Sequence, residues 1–182
     1  MNRAVFLDRD GVINRAVVRE GHPYPPSTVE TLECLPGVAE AINDLRHAGF
    51  RIIVVTNQPD VGKGLQRREV VEAMHERLRR LLPLDDIKVC YHIDEDGCSC
   101  RKPKPGMLLT AAQEWVLDLP RCVMVGDRWR DIEAGKAVDC QTIWIRSRYT
   151  ERPVEHPDAV VNSLAEASSW VLEREASYAK RI

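Results

Sequence analysis

The run Arg51-Ile52-Ile53-Val54-Val55-Thr56 is apolar at successive positions, not alternate ones. A strand of that kind has both faces buried, which is the habit of parallel sheets covered by helices on each side. Shorter runs of the same character recur at Val5-Phe6-Leu7, Ile87 to Tyr91, Cys122-Val123-Met124-Val125 and Thr142-Ile143-Trp144-Ile145, with Ala159-Val160-Val161 as a short sixth. Between them lie segments with helical spacing: Val38, Ala41, Ile42 and Leu45; Val70, Met74, Leu78 and Leu81, widened by Val71 and Leu82; Leu108, Ala111, Ala112 and Trp115; and Leu164, Ala167 and Val171 within 163–172. A further helix starts after Arg128. The alternation predicts an α/β fold, a Rossmann-like parallel sheet with helices on both faces. The 182 residues suit a single domain over 1–172, followed by a charged, frayed tail over 173–182.

A net charge of −2 argues against nonspecific binding to nucleic acid or to an anionic membrane. No apolar run approaches the roughly 18 residues that span a bilayer. The chain enters its first strand at once, so the expectation is a cytoplasmic protein with no signal peptide.

Ligands of such sheets bind beyond the carboxyl ends of the strands, so the residues there carry the chemistry. The first strand ends in Asp8-Arg9-Asp10-Gly11. Residues two apart in a strand point to one face, which sets Asp8 and Asp10 side by side. Carboxylates held this close repel unless one is protonated or a cation sits between them. The pattern suits a Mg²⁺ site with a nucleophile and a proton donor beside it; alone, it also fits a strand that runs into an acidic turn. The second strand ends in Thr56-Asn57-Gln58, a hydroxyl and free N–H groups able to hold phosphate oxygens, although a capping threonine reads the same way. Cys122 to Val125 leads into Gly126-Asp127-Arg128, a third carboxylate at a strand end, with Asp131 following. The long segment 15–36, with His22-Pro23-Tyr24-Pro25-Pro26, follows the strand that bears Asp8, and long loops in that position are commonly functional. The loop 59–64 contains glycines, but not at the spacing of a nucleotide-binding P-loop. The arginines at 67, 68, 77, 79 and 80 read as a solvated helix face.

Cys90-x-His92-x5-Cys98-x-Cys100 brings four soft or borderline ligands into eleven residues. That is the complement of a closed tetrahedral Zn²⁺ site, structural because no position is left for water or substrate. Binding would contribute on the order of 10 kcal/mol to ordering the loop. Cys34, Cys122 and Cys140 sit in apolar contexts and read as buried thiols. The knot is followed at once by Arg101-Lys102, two cations aimed by a fixed backbone at a phosphate.

Three acids, a hydroxyl and two cations at strand ends point to Mg²⁺-assisted phosphoryl transfer. The stretches Phe-Leu-Asp-Arg-Asp-Gly-Val-Ile-Asn, Val-Val-Thr-Asn-Gln, Cys-Arg-Lys-Pro-Lys-Pro-Gly-Met and Val-Gly-Asp-Arg-x-x-Asp lie in order over residues 5–131. Together they resemble the four motifs of the haloacid dehalogenase superfamily. The zinc loop is similar to that of its capless subgroup, which holds phosphatases of D-glycero-D-manno-heptose 1,7-bisphosphate and of histidinol phosphate. The resemblance implies a phosphatase with no large cap domain, with Asp8 as nucleophile and Asp10 as acid and base. It implies Mg²⁺ on Asp8, the carbonyl of Asp10 and Asp127, and Thr56 and Lys102 steadying the phosphoryl group. Arg101 would recognise substrate, with Asn57, Gln58 and Arg128 as further contacts. The stretches 102–107 and 57–64 resemble the heptose enzymes, whereas the short His92–Cys98 spacing resembles the histidinol enzymes. The favoured substrate is therefore a small phosphorylated sugar, the heptose bisphosphate at its 7-phosphate, with histidinol phosphate as the alternative. A polynucleotide 3′-phosphatase and a non-catalytic zinc module are remoter readings. The expected state is a monomer.

Overall fold

The computed structural model of the chain describes residues 2–179. Its elements are β1 (Ala4–Leu7), a hairpin of β2 (Val17–Arg19) and β3 (His22–Tyr24), α1 (Val38–His47), β4 (Arg51–Asn57), α2 (Pro59–Gly62), α3 (Arg68–Leu81) and β5 (Asp86–Cys90). They continue with α4 (Gly106–Trp115), β6 (Val123–Gly126), α5 (Trp129–Lys136), β7 (Gln141–Ile145), β8 (Ala159–Val161) and α6 (Leu164–Ala179). Six strands form one sheet in the order β5-β4-β1-β6-β7-β8, every neighbouring pair parallel.

Alternate residues of each central strand serve opposite faces. Val5 and Leu7, Ile52 and Val54, and Val123 and Val125 enter one core with Leu45 of α1, Met74 and Leu78 of α3, and Val171 of α6. Phe6, Ile53, Val55 and Met124 enter a second core with Leu108 and Ala111 of α4 and Ala134 of α5. Both faces are therefore covered, which is why these strands are continuously apolar. The chain leaves β1 toward β4 and β5, then returns to the other side of β1 for β6, β7 and β8. The order reverses at β1, and the crevice beyond the carboxyl ends of β1, β4 and β6 is the ligand position of such a sheet.

Three details differ from the sequence expectation. Segment 15–36 is not plain loop: Glu20 and Gly21, both at positive φ, turn β2 back onto β3. Positive φ at both turn residues matches the strand twist of a two-residue hairpin. These strands are three residues long, with an exposed or half-exposed pattern, so they leave no apolar alternation to read. The hairpin lies between β1 and α1 in the chain. The loop after β4 includes the short helix α2, with Pro59 at its first position. The last helix runs on through Ala179, past the 163–172 span, because it packs along α1 and its C-terminal half is tied down by an Arg3–Glu175 ion pair. Of the expected frayed tail, residues 180–182 lie outside the described residues. No helix among the described residues is long and apolar enough to cross a membrane.

Candidate active site

Asp8 is the first residue beyond β1, and its backbone N–H still pairs with Val125 O at 3.0 Å. Asp127 is the first residue beyond β6, and Thr56 and Asn57 are the last two of β4. Because β1 lies between β4 and β6, these ends meet. The three sequence stretches converge through sheet order alone.

Lys102 reaches in from the loop after the cysteine cluster and is 2% exposed. Its Nζ donates to Asp8 Oδ1 at 2.8 Å, Val55 O at 2.7 Å and Asp131 Oδ1 at 2.6 Å. All three ammonium hydrogens have acceptors, so a cation that burial alone would discharge is kept charged, its pKa raised by Asp131 and Asp8. The Lys102 backbone is fixed too: its N–H donates to Asn57 Oδ1 at 3.1 Å, and Asn57 Nδ2 donates to Lys102 O at 3.0 Å.

Ligand oxygens of Asp8, Asp127 and Asp131 all lie within 4.8 Å of one another. Burial, above all, pushes the Asp8 carboxyl up to about 6, against the pull of Lys102. Burial, then Asp8 and Asp131, push Asp127 well above the usual carboxylate range. Three carboxylates against one ammonium leave negative charge in excess, and a cation is the natural complement. The donors are not equivalent. Asp131 is committed, with Oδ1 on Lys102 and Oδ2 accepting the Arg128 backbone N–H at 3.0 Å. Asp127 takes the Tyr149 hydroxyl on Oδ2 at 2.6 Å, while its Oδ1 is buried with no partner. Its backbone carbonyl accepts from Trp144 Nε1 and Ser147 Oγ, so the whole residue is aimed. Gly11 makes the close approach possible: it sits at φ +90, and a Cβ there would overlap Asp127 Oδ2.

Asp10 turns to the other side of the crevice. Its carboxylate accepts from Asn14 Nδ2 at 2.9 Å, from Gln58 Nε2 at 2.8 Å and from both Nε and Nη2 of Arg9. Gln58 Nε2 also donates to Thr56 Oγ1 at 2.9 Å. Gln58, expected as a further substrate contact, is placed by the structure behind Asp10 and Thr56. Gln58 is buried, lies outside the lining of the cleft, and spends its amide on orienting Asp10 and Thr56.

The cysteine cluster assembles as spaced. Cys100 Sγ lies 3.1 Å from Cys90 Sγ and 3.5 Å from Cys98 Sγ, and Cys90 and Cys98 are 3.7 Å apart. His92 Nδ1 lies 3.3 Å from Cys100 Sγ and 3.6 Å from Cys90 Sγ. Ligands about 2.3 Å from a tetrahedral centre stand about 3.8 Å apart, so the four donors are close to the edges of such a site. All six cysteines are free thiols.

A cleft of about 240 Å³ opens over these groups. Its floor holds Asp8, Asp10 and Lys102; one wall is His22, Pro23, Tyr24 and Pro25 of the hairpin. The rim carries Asn57, Lys63, Arg101, Arg128 and Arg130. Asp94, in the loop between His92 and Cys98, accepts from Arg101 Nε at 2.8 Å and from Arg130 Nη1 at 3.2 Å, so one carboxylate orients two rim cations. Arg128 is held by Glu151, its Nε 3.0 Å from the carboxylate. Lys63, Asp94 and Arg130 were not legible as site residues, since each stands in an ordinary loop or helix start. Asp131 was legible as the carboxylate that follows Asp127, without a role.

A doubly wound sheet with acids beyond β1 and β6 and a lysine reaching between them is the frame of a haloacid dehalogenase-like phosphatase, and comparison with known proteins agrees. A family model described as HAD-hydrolase-like matches residues 99–167. D-glycero-beta-D-manno-heptose-1,7-bisphosphate 7-phosphatase of Pseudomonas aeruginosa is 37% identical, over 95% of this chain and 100% of that one. D-glycero-D-manno-heptose-1,7-bisphosphate 7-phosphatase of Thermosynechococcus vestitus is 34% identical over 92% and 94%. Among solved structures, the D,D-heptose 1,7-bisphosphate phosphatase of B. bronchiseptica, complexed with magnesium and phosphate, superposes with a TM-score of 0.82 at 28% identity, covering 94% of this chain and 99% of that one. The chain belongs to the heptose-1,7-bisphosphate 7-phosphatase family of these hydrolases, and it is a phosphatase.

Proposed function

We propose that the chain is a Mg²⁺-dependent phosphomonoester hydrolase that works through an aspartyl phosphate on Asp8 and removes the 7-phosphate of D-glycero-D-manno-heptose 1,7-bisphosphate. The observation that carries this is the Lys102 ammonium, bonded to Asp8 at the floor of the cleft and beside the unpartnered oxygen of Asp127. Asp8 attacks phosphorus, and the departing sugar alkoxide takes a proton from Asp10. Asp10 then removes a proton from the water that attacks the aspartyl phosphate, which restores both carboxyls. The Lys102 ammonium sets positive charge beside the phosphoryl oxygens, and the Thr56 hydroxyl donates to them, as charge shifts onto them.

The Asp8 and Asp127 carboxylates and the Asp10 carbonyl would hold Mg²⁺, a hard cation that prefers oxygen donors and keeps several waters. When bound it neutralises charge between the carboxylates and the phosphoryl oxygens. Cys90, His92, Cys98 and Cys100 would hold Zn²⁺ in a closed site, structural in role, that fixes the backbone before Arg101 and Lys102. Arg101 recognises substrate, with Asn57 and Arg128 beside it; the cations Lys63 and Arg130 on the same rim suit a substrate with a second anionic group away from the reacting phosphate. Reduced thiols in the metal cluster favour a cytoplasmic protein. The net charge of −2 favours a small-molecule substrate over nucleic acid, and we read the chain as a monomer.

The test is phosphate release, with Mg²⁺, from both anomers of heptose 1,7-bisphosphate, histidinol phosphate and a 3′-phosphorylated oligonucleotide. The Pseudomonas aeruginosa relative is named for the β anomer, so that anomer is the expected best substrate. Preference for histidinol phosphate would mean that the short metal loop is the better guide to substrate. Retained hydrolysis by Asp8→Asn would refute the mechanism, because an amide cannot form the acyl phosphate.

A further inference from the structure

His75 is the buried titratable group that the mechanism above leaves unused. It sits on α3, on the helix face turned into the sheet, and is fully buried. Its Nε2 lies 3.1 Å from Arg9 Nη1. Arginine has no acceptor, so Nε2 carries the lone pair and the ring proton is on Nδ1. Nδ1 faces Glu72 Oε2, one turn back on the same helix, at 3.5 Å. Burial, reinforced by the Arg9 charge, pushes the His75 pKa down to about 4, so the ring is neutral at working pH and free to accept.

Arg9 is itself fully buried, between the two acids of the Asp8–Asp10 turn. With Nη1 spent on His75, its Nε and Nη2 both face the Asp10 carboxylate, at 3.2 and 2.9 Å to Oδ2. Asn14 holds Oδ1 and Gln58 holds Oδ2 from other directions. A general acid has to present one oxygen within about 2.6–3.2 Å of the leaving oxygen, so its rotamer matters as much as its pKa. A guanidinium adjacent in the chain can pin that rotamer only if its own plane is fixed. Nη1 to His75 Nε2 is the bond that fixes it.

We propose that His75 and Arg9 are positioning residues for Asp10: neutral His75, held in one tautomer by Glu72, locks the plane of Arg9, and Arg9 locks the carboxylate that protonates the leaving group. The inference rests on the assignment of Asp10 as the acid. It makes leaving-group assistance, and not nucleophilic attack, the step that His75 serves. An alkoxide needs that proton; a 4-nitrophenolate scarcely does.

The experiment measures kcat/KM for heptose 1,7-bisphosphate, phenyl phosphate and 4-nitrophenyl phosphate, in the full chain with Mg²⁺. kcat/KM reports the steps through loss of the leaving group and excludes the later hydrolysis of the acyl phosphate, in which Asp10 also acts. General acid catalysis contributes typically 10²–10⁴-fold. In His75→Leu, which fills the site without an acceptor, the sugar-to-nitrophenyl ratio should fall by roughly 10–100-fold, with phenyl phosphate between the two. His75→Gln, whose amide oxygen can accept from Arg9, should return the ratio to within about 3-fold of the unaltered chain. Glu72→Ala, at a half-exposed position where it also releases the Tyr91 hydroxyl, should shift it the same way by about 3-fold. Equal loss on all three substrates, or an unchanged ratio in Glu72→Ala if His75→Leu does not fold, overturns the proposal. If the unaltered chain hydrolyses none of the three, the phosphatase reading itself fails, and that result is distinct from either.

Discussion

Asp131 holds two donors with two oxygens, and Asp131→Asn tests whether that arrangement sets Lys102. Oδ1 takes the Lys102 ammonium at 2.6 Å, and Oδ2 takes the Arg128 backbone N–H at 3.0 Å. Asparagine has the same shape but only one acceptor. If its oxygen serves Lys102, its NH₂ confronts the Arg128 N–H; if it is flipped, NH₂ confronts the ammonium. One buried donor is orphaned either way, at about 1–3 kcal/mol, and a charge-assisted bond is lost or weakened as well. Removing a charge beside Asp8 and Asp127 relieves repulsion, so the total stays below the roughly 3–5 kcal/mol of breaking a buried ion pair outright. We expect a loss of about 2–4 kcal/mol, which for a chain of this size lowers the melting midpoint by roughly 5–15 °C. With Lys102 less firmly held, kcat should fall about 10–100-fold, the equivalent of one charge-assisted hydrogen bond in the transition state. Thermal unfolding and phosphate release on the same preparation give both numbers. A variant that melts within about 2 °C of the parent and turns over at the parental rate would show that Asp131 does not set Lys102.

The other predictions concern the groups around that centre. His75 is flanked by Arg9, Glu72 and Arg79 and has a folded pKa of about 4 against an ordinary value of 6.5. A depressed value in a base means that the unfolded chain binds the extra proton, so the stability is full above 6.5 and is lost as pH falls toward 4. Relative to His75→Gln, the parent should therefore lose about 2 kcal/mol between pH 8 and pH 5 in denaturant titrations, and parallel pH curves for the two would contradict a neutral His75. Metal analysis of the purified chain should find one zinc, and Cys98→Ser should lose it with a melting midpoint at least about 5 °C lower while still binding Mg²⁺; a zinc-free chain that melts like the variant would refute the structural knot. Asp94→Asn frees Arg101 and Arg130 from their shared carboxylate, so KM for the sugar substrate should rise about 3–10-fold with kcat little changed. A fall in kcat instead would place Asp94 in the chemical step.

What could be read along the chain is what a local pattern encodes. The double-faced apolar strands required a covered parallel sheet, and Asp8, Thr56 and Asp127 could be placed at strand ends because each follows an apolar run directly. The Cys90, His92, Cys98 and Cys100 tetrad was legible because all four side chains fall within eleven residues, where spacing alone decides whether they can meet. The hairpin over the cleft was not legible, since its strands are short, exposed and without alternation. Nor were the partners of the buried charges. His75 meets Arg9 across 66 residues of chain, and Lys102 meets Asp8 across 94. Helical spacing says that His75 faces inward, but not that a guanidinium waits there; a motif says that Asp131 matters, but not that it spends both oxygens on Lys102 and Arg128. Those pairings depend on the order of strands in the sheet and on which helices cover which face. Burial then converts them into fixed orientations, because a charge removed from water must find a partner wherever the fold has put one.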